Sequence, residues 1–239
     1  MEQIETLMQE LRLTGMRNRW NALQETRQTH ELSLLDGLSL LLQSEKDTKA
    51  NSRFHRLIAN AHFRYRASIE ELKYDQSRGL NKDQIAQLAT AEYLKNGESV
   101  LITGATGCGK SFLATALGYH ACAQDKKVLY FNTQKLFVKT KLARAEGTAI
   151  KLLEKIAKAD LLIMDDFGLQ RLDNREQQDF MEIIEDRHAR KSTIIASQLP
   201  VASWYEIIGE ETIADAILDR LVHSSHRIEL KGESLRKKK

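Results

Sequence analysis

The sequence feature that most constrains the fold is an eight-residue segment, GATGCGKS at positions 104–111, which fits the pattern G-x-x-x-x-G-K-[ST]. It follows the apolar run 100–103 and precedes an amphipathic helical pattern that begins at Phe112. Glycines at these positions let the backbone curl so that successive N–H groups point inward, and the start of the helix adds a partial positive charge. The pattern therefore predicts a phosphate-binding loop between a strand and a helix.

Each residue of this loop is a candidate nucleotide ligand. In such loops the lysine, here Lys110, reaches the β- and γ-phosphates, and the hydroxyl of Ser111 binds Mg²⁺. Cys108 occupies a variable position, where a small residue fits; a redox function of its thiol is the alternative. The predicted nucleotide ligands are Gly104, Ala105, Thr106, Gly107, Cys108, Gly109, Lys110, Ser111 and Phe112.

Short apolar runs alternate with amphipathic stretches from residue 98 to residue 230. After the first run, they cover residues 127–131, 161–164, 193–197 and 227–230. Apolar runs of four or five residues between longer helical patterns are typical of buried parallel strands joined by crossover helices. The sequence predicts an α/β fold whose core is a parallel five-stranded sheet with flanking helices.

Polar side chains follow the third and fourth of these runs. Asp165 and Asp166 end the third, and buried parallel strands place ligands at their carboxyl ends. We expect Asp165 to hold Mg²⁺, directly or through water, and Asp166 to orient the attacking water. Gln198, or Ser197 beside it, would sense the γ-phosphate by hydrogen bonding, and simple solvation of a strand end is the alternative.

An arginine on the last predicted helix, Arg220, is a candidate for action between subunits. From that position an arginine can extend to the γ-phosphate held by a neighbouring subunit and stabilise the charge of the transition state. A surface ion pair with Asp219 or Asp215 is the alternative. Arg187 and Arg190, at the end of the preceding helix, are competing candidates.

The first 66 residues predict a small all-helical domain. Apolar side chains from Ile4 to Leu11 have helical spacing, Gly15 interrupts that helix, and Ser33 with Asp36 resembles a capping box. Residues 67–80 lack periodicity and are interpreted as a linker. Asn81 is a candidate helix cap, so residues 81–239 form the predicted nucleotide-binding domain.

Composition excludes several classes of protein. Apolar residues make up 42% of the chain and charged residues 29%, which excludes a disordered chain. No apolar run approaches the ~18 residues of a membrane span, and the acidic start lacks a signal-peptide pattern. Cys108 and Cys122 are too few for a disulfide framework or a four-ligand zinc site. We expect a cytoplasmic protein that makes no membrane contact.

Positive charge is concentrated in two segments. The chain carries a net charge of +3, whereas residues 44–66 and residues 223–239 each carry +4. Such asymmetry predicts an anionic partner for both segments.

Taken together, the nucleotide loop, the Asp-Asp strand end, the polar tip of the next strand and the late arginine resemble an AAA+ ATPase. More narrowly, the chain resembles the IstB family, transposition helper ATPases of bacterial insertion sequences that are related to DnaC-type helicase loaders. The stretches that carry this resemblance are LRLTGMRNRW, SIEELKYDQSRGL, GATGCGKS, LLIMDDFG, EIIEDRH and DRLVHSSHRIELKGESLRKKK. They run from near residue 5 to residue 239.

The resemblance implies ATP and Mg²⁺ as cofactors, homo-oligomeric assembly on duplex DNA with ATP at subunit interfaces, and delivery of a cognate transposase. It assigns the interfacial arginine to Arg220. Only nine residues follow Leu230, too few for the full C-terminal lid of AAA+ proteins, and Arg236 would replace the nucleotide-sensing arginine of that lid. Asp166 stands where many AAA+ proteins have Glu, which is compatible with slow turnover.

Two basic segments are candidate DNA contacts. Taken as one helix, residues 52–66 place a basic stripe beside an apolar one, and residues 133–144 carry a second basic set. A solvated charged face is the alternative for both. Neither has a clear set of base-reading side chains, so we expect largely sequence-independent, salt-sensitive binding. The candidates are Arg53, Arg56, Arg64, Lys135, Lys139, Lys141 and Arg144.

Three other functions use the same loop. A DnaC-type helicase loader has the same motor with a different helical domain, and the segment LRLTGMRNRW favours transposition. A small-molecule kinase would need a second substrate pocket with several arginines. An ATP-gated clamp with negligible hydrolysis would carry the same residues and differ only in rate.

Overall fold

The computed structural model describes residues 2–28 and 32–235. The chain divides into two compact units, Met1–Arg56 and Leu57–Lys239. The division falls ten residues before the expected boundary at 66, so residues 57–66 belong to the second unit. Within the described residues, no helix is long and apolar enough to cross a membrane.

The first unit is helical, as predicted. It contains α1 (Glu2–Glu10), α2 (Thr14–Glu25) and most of α3 (Leu34–Ala61). Ser33 caps α3 by accepting a hydrogen bond from the Asp36 N–H at 3.2 Å. The predicted break at Gly15 is wrong, because the chain leaves α1 at residues 11–13 and Gly15 lies inside α2, packed against the backbone of α3.

The second unit is built on a five-stranded sheet in the order β2-β3-β4-β1-β5, with every neighbouring pair parallel. The strands are β1 (Ser99–Gly104), β2 (Val128–Asn132), β3 (Leu161–Phe167), β4 (Ser192–Ser197) and β5 (Ser225–Leu230). All five predicted strands are present; four are longer than predicted by one to three residues, and β2 has its predicted length but begins one residue later. Their carboxyl ends share one edge of the sheet, where the predicted site residues lie.

Helices cover both faces of the sheet. They are α4 (Lys82–Ala89), α5 (Glu92–Asn96), α6 (Lys110–Ala123), α7 (Thr133–Ala145), α8 (Ala149–Ala157), α9 (Asn174–Arg187), α10 (Trp204–Ile208) and α11 (Glu211–Val222). Asn81 caps α4 by accepting from the Asp83 N–H at 2.8 Å, as predicted. The core is apolar, with Trp204, Phe167 and Phe180 fully buried.

One predicted helix is too long. The sequence pattern extends a helix from 52 to 66, but α3 ends at Ala61 and His62 adopts a left-handed conformation with φ of +58°. Phe63 then packs against α6, which draws the chain away from the helical path. Arg64 is therefore exposed beyond the helix and does not continue the stripe of Arg53 and Arg56.

Candidate nucleotide site

The phosphate-binding loop connects β1 to α6, as the sequence predicts. Gly107 has a φ of +82° and lies against Ser234, where a Cβ would approach the serine Oγ to 2.1 Å, so only glycine fits. The Lys110 side chain is buried, and its ammonium donates to the carbonyl of Ala105 at 2.8 Å. The first turn of α6 leaves backbone N–H groups without helical partners, which suits an anion at this position.

Ser111 and Asp165, the two predicted magnesium ligands, are in direct contact. The Ser111 hydroxyl donates to Asp165 Oδ1 at 2.9 Å. Tyr130 donates its hydroxyl proton to Asp165 Oδ2, and Thr133 Oγ1 donates to the main-chain carbonyl of Asp165 at 2.9 Å. Burial, and then the bond to Asp165, raises the pKa of Tyr130, so its hydroxyl stays protonated and available as a donor.

This donor set fits a nucleotide-bound Mg²⁺. Mg²⁺ prefers oxygen ligands and is held in phosphoryl-transfer sites by one or two protein groups together with substrate phosphates. A hydroxyl and a carboxylate at 2.9 Å supply such a pair. Among the described residues there is no cluster of three or more His, Cys, Asp or Glu that could hold a metal by itself. The pair therefore suits a metal that arrives with a phosphate chain.

Asp166 lies beside this pair in an irregular part of β3. The register between β3 and β4 shifts between Met164 and Phe167, and Asp166 has a left-handed φ of +57°. Such backbone conformations are unfavourable for non-glycine residues and cluster at functional sites. The Asn132 side-chain amide donates to Asp166 Oδ2 at 3.0 Å, so the carboxylate is held at the carboxyl edge of the sheet.

The tip of β4 reaches the loop through Gln198. The Thr106 hydroxyl donates to Gln198 Oε1 at 2.7 Å. Ser197, the other sequence candidate, is buried; its hydroxyl donates to the carbonyl of Phe167 at 2.9 Å and accepts from the Leu199 N–H. Gln198 is therefore the better placed of the two to respond to a bound phosphate.

An apolar cavity of about 430 Å³ adjoins the loop. Its apolar lining comes from the predicted linker, the start of α6 and the end of the described chain: Leu72, Leu80, Phe112, Leu230 and Leu235. The Leu235 N–H donates to the Gly107 carbonyl at 2.9 Å, and Arg78 donates to the Glu233 carbonyl at 2.8 Å. Residues 67–80 thus form one wall of the candidate site as well as connecting two regions.

Arg220 lies at the opposite end of the sheet. It lines a small surface depression together with Ser99, the first residue of β1, and Thr193, the second residue of β4. The two ends of β1 are about 16 Å apart. Arg220 bridges to Glu185 at 2.6 Å and donates to the Ala216 carbonyl at 2.8 Å. It is too far from the loop of its own subunit to contact a phosphate there.

The competing arginines differ in exposure. Arg187 is 1% exposed, and its guanidinium donates to the carbonyls of Ile156, Ala159 and Ser192. Burial lowers the pKa of Arg187, and the three carbonyls hold it inside the domain. Arg190 is exposed.

The candidate DNA contacts are of two kinds. Most are exposed: Arg53 and Arg56 on α3, Arg64 after it, and Lys135, Lys139 and Lys141 on α7. Arg144 is instead bound to Asp179, whose side chain is buried, at 2.8 Å and to Glu182 at 3.2 Å. Its principal contacts are within the domain. Arg236 lies outside the described residues.

Sequence reasoning missed three residues of the site. Tyr130 and Asn132 lie on β2 beside β3, and parallel strand order could have indicated Asn132, because it ends a strand next to Asp165. Tyr65 follows α3, and its ring lies nearly parallel to that of Phe112, with centroids 6.3 Å apart. Burial raises the pKa of Tyr65, which keeps its hydroxyl protonated. No local motif marks Tyr65.

Comparison with known proteins agrees with this geometry. The chain is 42% identical over 225 residues to the insertion sequence ATP-binding protein y4pL of Sinorhizobium fredii, covering 94% of this chain and 92% of that protein. It is 36% identical to the ATP-binding protein of insertion sequence IS1162 from Pseudomonas fluorescens, covering 81% and 84%.

Solved structures show the same fold. The DnaC helicase loader matches with a TM-score of 0.57 and 22% identity over 74% of this chain and 99% of that one. AMPPCP-bound DnaA from Aquifex aeolicus matches with a TM-score of 0.58 and 20% identity, covering 73% and 53%. The second unit therefore shares the fold of these two proteins. The family described as IstB-like ATP binding protein matches residues 6–239, and the chain belongs to that family.

Proposed function

We propose that this protein is a magnesium-dependent ATPase that assembles on duplex DNA, with ATP bound between subunits, and recruits a transposase. Hydrolysis would then reset the assembly. The observation that carries the proposal is that Arg220 lies far from the other candidate residues of the ATP site, which lie close together. Lys110, Ser111, Asp165 and Asp166 converge at one end of the sheet, whereas Arg220 lies at the other.

ATP would lie along the loop, with its base in the adjoining apolar cavity. Lys110 is buried beside the loop carbonyls and would exchange its bond to Ala105 for the phosphates. Ser111 and Asp165 would hold Mg²⁺, which neutralises phosphate charge when it is bound. Gln198 would hydrogen-bond the γ-phosphate.

Asp166 would orient the attacking water. Its carboxylate is only partly buried, lies next to the magnesium pair, and is held by Asn132. While this bond is present, the Asn132 amide occupies one oxygen of the Asp166 carboxylate. A change that releases Asn132 would free the carboxylate for water, so hydrolysis can be coupled to movement of the helix that follows Asn132.

Arg220 would act on a neighbouring subunit. An arginine supplied in trans stabilises the charge of the transition state and is worth about 10³- to 10⁵-fold in rate. Since Arg220 would also contact the γ-phosphate, ATP would hold the subunits together, and its hydrolysis would weaken the interface between them. The ion pair with Glu185 would then be exchanged for the phosphate of the partner.

DNA would be bound through its phosphates. Lys135, Lys139 and Lys141 on α7, together with Arg53, Arg56 and Arg64, present exposed positive charge suited to sequence-independent contact. Two findings support DNA and a transposase as partners: related proteins are ATP-binding proteins of insertion sequences, and one structural neighbour is DnaA bound to AMPPCP and single-stranded DNA. With such partners we expect the protein to act in the cytoplasm.

Light scattering of the purified protein tests the proposal under four conditions: no addition, ATP with Mg²⁺, duplex DNA, and both. We expect a large, discrete DNA-bound oligomer only when ATP and DNA are both present. Asp166→Asn, which should bind ATP without hydrolysing it, should prolong that state. A monomer under all four conditions would contradict the proposal.

The DnaC-like fold makes helicase loading the alternative function. Pull-down of a cognate transposase or of a replicative helicase by the ATP-bound oligomer separates the two. Capture of the helicase alone would favour the loader.

A further inference from the structure

Tyr130 on β2 contacts one of the two proposed magnesium ligands from the neighbouring strand. In the register of β2 and β3 it is paired with Ile163, and Asp165 lies two residues further along β3, on the same face of the sheet. A tyrosine is long enough to span this diagonal, and its hydroxyl donates to Asp165 Oδ2. Tyr130 is only 7% exposed, so little water competes for that bond.

Aromatic packing holds the ring of Tyr130 in place. Phe63 meets it edge-on, with centroids 6.1 Å apart, and stacks on Tyr119 at 4.6 Å. Gly118 on α6 provides the space for Phe63, because a Cβ there would lie 2.6 Å from Phe63 Cε1 and 2.8 Å from Ile163 Cδ1. Since packing fixes the ring, its hydroxyl is a donor at a fixed position.

The two carboxylate oxygens of Asp165 therefore have different partners. Oδ2 accepts from the Tyr130 hydroxyl, whereas Oδ1 accepts from the Ser111 hydroxyl at 2.9 Å and from the Asp166 N–H at 3.0 Å. Burial, and then the bond to Asp165, raises the pKa of Tyr130, so the donor keeps its proton. The carboxylate thus presents one oxygen, Oδ1, towards Ser111.

One carboxylate oxygen at this distance suits Mg²⁺ better than Ca²⁺. Mg²⁺ requires octahedral geometry with oxygens about 2.1 Å away, so two adjacent ligands lie about 3.0 Å apart. Ser111 Oγ and Asp165 Oδ1 are 2.9 Å apart. Ca²⁺ takes more oxygens at longer distances, about 2.3 to 2.6 Å, and often binds both oxygens of one carboxylate. Such binding would need Asp165 Oδ2, which Tyr130 occupies.

We propose that Tyr130 is a positioning residue that makes the metal site selective for Mg²⁺ over Ca²⁺. By holding Asp165 Oδ2, it prevents the carboxylate from turning both of its oxygens towards a metal. The inference rests on the proposed binding of ATP with Mg²⁺ and needs neither DNA binding nor oligomerisation.

Tyr130→Phe removes the hydroxyl and keeps the ring beside Phe63. The affinity for a fluorescent ATP analogue is measured in EDTA and across separate titrations with Mg²⁺ and with Ca²⁺. We expect unchanged affinity in EDTA. The half-saturating Ca²⁺ concentration divided by the half-saturating Mg²⁺ concentration should fall about three- to tenfold, the range that one hydrogen bond contributes. Both ions also bind the free analogue, but that effect is the same for every variant.

Tyr119→Phe is the matched control. It makes the same chemical change in the same aromatic cluster and should leave the ratio of Ca²⁺ to Mg²⁺ concentrations unaltered. A ratio for Tyr130→Phe within twofold of that of the unmodified protein would overturn the proposal. So would an equal fall in the ratio for both variants.

A double-mutant cycle separates positioning of the carboxylate from a general packing effect. In an Asp165→Ala background, Tyr130→Phe should produce no further change in the ratio, because the carboxylate that it positions is gone. Equal falls in the two backgrounds would overturn the proposal.

The role of Tyr130 and the proposed function fail in different ways. If neither ion changes the affinity of the unmodified protein for the analogue, both are contradicted. If the unmodified protein binds the analogue equally well with either ion, only the role of Tyr130 is contradicted. A protein that binds ATP with Mg²⁺ but never assembles on DNA would contradict the proposed function, and the ratio would still decide the role of Tyr130.

Discussion

Asn132 joins α7 to Asp166 through the two ends of one side chain. Its amide nitrogen donates to Asp166 Oδ2 at 3.0 Å, and its oxygen accepts from the Lys135 N–H at 3.3 Å, which caps α7. Lys135 is also the first of the exposed lysines on that helix. A ligand that moves the start of α7 therefore moves the group that holds Asp166.

Asn132→Ser should raise ATP hydrolysis in the absence of DNA and weaken its stimulation by DNA. Serine retains an N-cap oxygen for α7 but has no amide to hold Asp166, so the carboxylate is free to orient water. We expect a basal rate about two- to tenfold higher, corresponding to the loss of roughly one hydrogen bond. Steady-state phosphate release with and without duplex DNA measures this, and unchanged basal and stimulated rates would contradict the coupling.

The exposed lysines of α7 should contribute to DNA binding, whereas Arg144 on the same helix should contribute to stability. Replacing Lys135, Lys139 and Lys141 with alanine should weaken duplex binding and reduce the slope of log affinity against log salt by about 0.9 per lost phosphate contact. Fluorescence anisotropy across a salt series measures the slope. An unchanged slope would exclude these lysines from the DNA interface.

Arg144→Ala should instead destabilise the fold. Among the residues that the structure describes, it leaves the buried carboxylate of Asp179 with the more distant Arg175, 3.7 Å away. We expect a loss of about 2 kcal/mol in the free energy of unfolding, measured by urea denaturation, since an unpaired buried charge is costly. A variant that folds normally and loses DNA affinity would show that Arg144 belongs with the lysines.

The ion pair between Asp160 and Lys191 makes part of the stability pH-dependent. Burial alone would raise the pKa of Asp160, but the Lys191 ammonium at 2.6 Å and the Lys127 N–H at 2.9 Å outweigh it, and the pKa lies below its ordinary value. A lowered pKa in the folded state gives stability that is present above the unfolded pKa and lost as pH falls through the folded one.

Asp160→Asn should therefore be less stable by about 1 kcal/mol at neutral pH, a modest value because the pair is partly exposed. The difference from the unmodified protein should shrink as the pH falls through the lowered pKa of Asp160, because the protonated aspartate no longer pairs with Lys191. Urea denaturation at several pH values measures it. A difference that stays constant with pH would show that the lost contact is not the charged one.

Local sequence signals predicted most of the sheet and the loop, whereas the additional site residues depend on long-range contacts. The loop and Asp165 follow apolar strands, so their type and order could be read directly. Tyr65 lies 47 residues before Phe112 in the chain, and the two rings meet only because α3 ends at Ala61. Helical periodicity continues past Ala61 in the sequence. The helix itself ends there because Phe63 packs against Gly118 of α6, a contact that the local pattern does not indicate.

The position of Gln198 shows the same distinction. Its place at a strand end was predictable from the apolar run that precedes it. Its hydrogen bond with Thr106 could not be predicted in the same way. That bond forms because β1 and β4 are neighbours in the sheet, and only the strand order of the folded sheet shows this.

The central claim, that Arg220 completes the ATP site of a neighbouring subunit, is tested most directly by mixing two inactive variants on DNA. Lys110→Ala retains the arginine but should not bind ATP, and Arg220→Ala binds ATP but lacks the arginine. The account predicts that each variant alone is inactive and that the mixture recovers hydrolysis at interfaces that combine an intact loop with an intact Arg220. A mixture as inactive as its components, with mixed oligomers verified by light scattering, would contradict it.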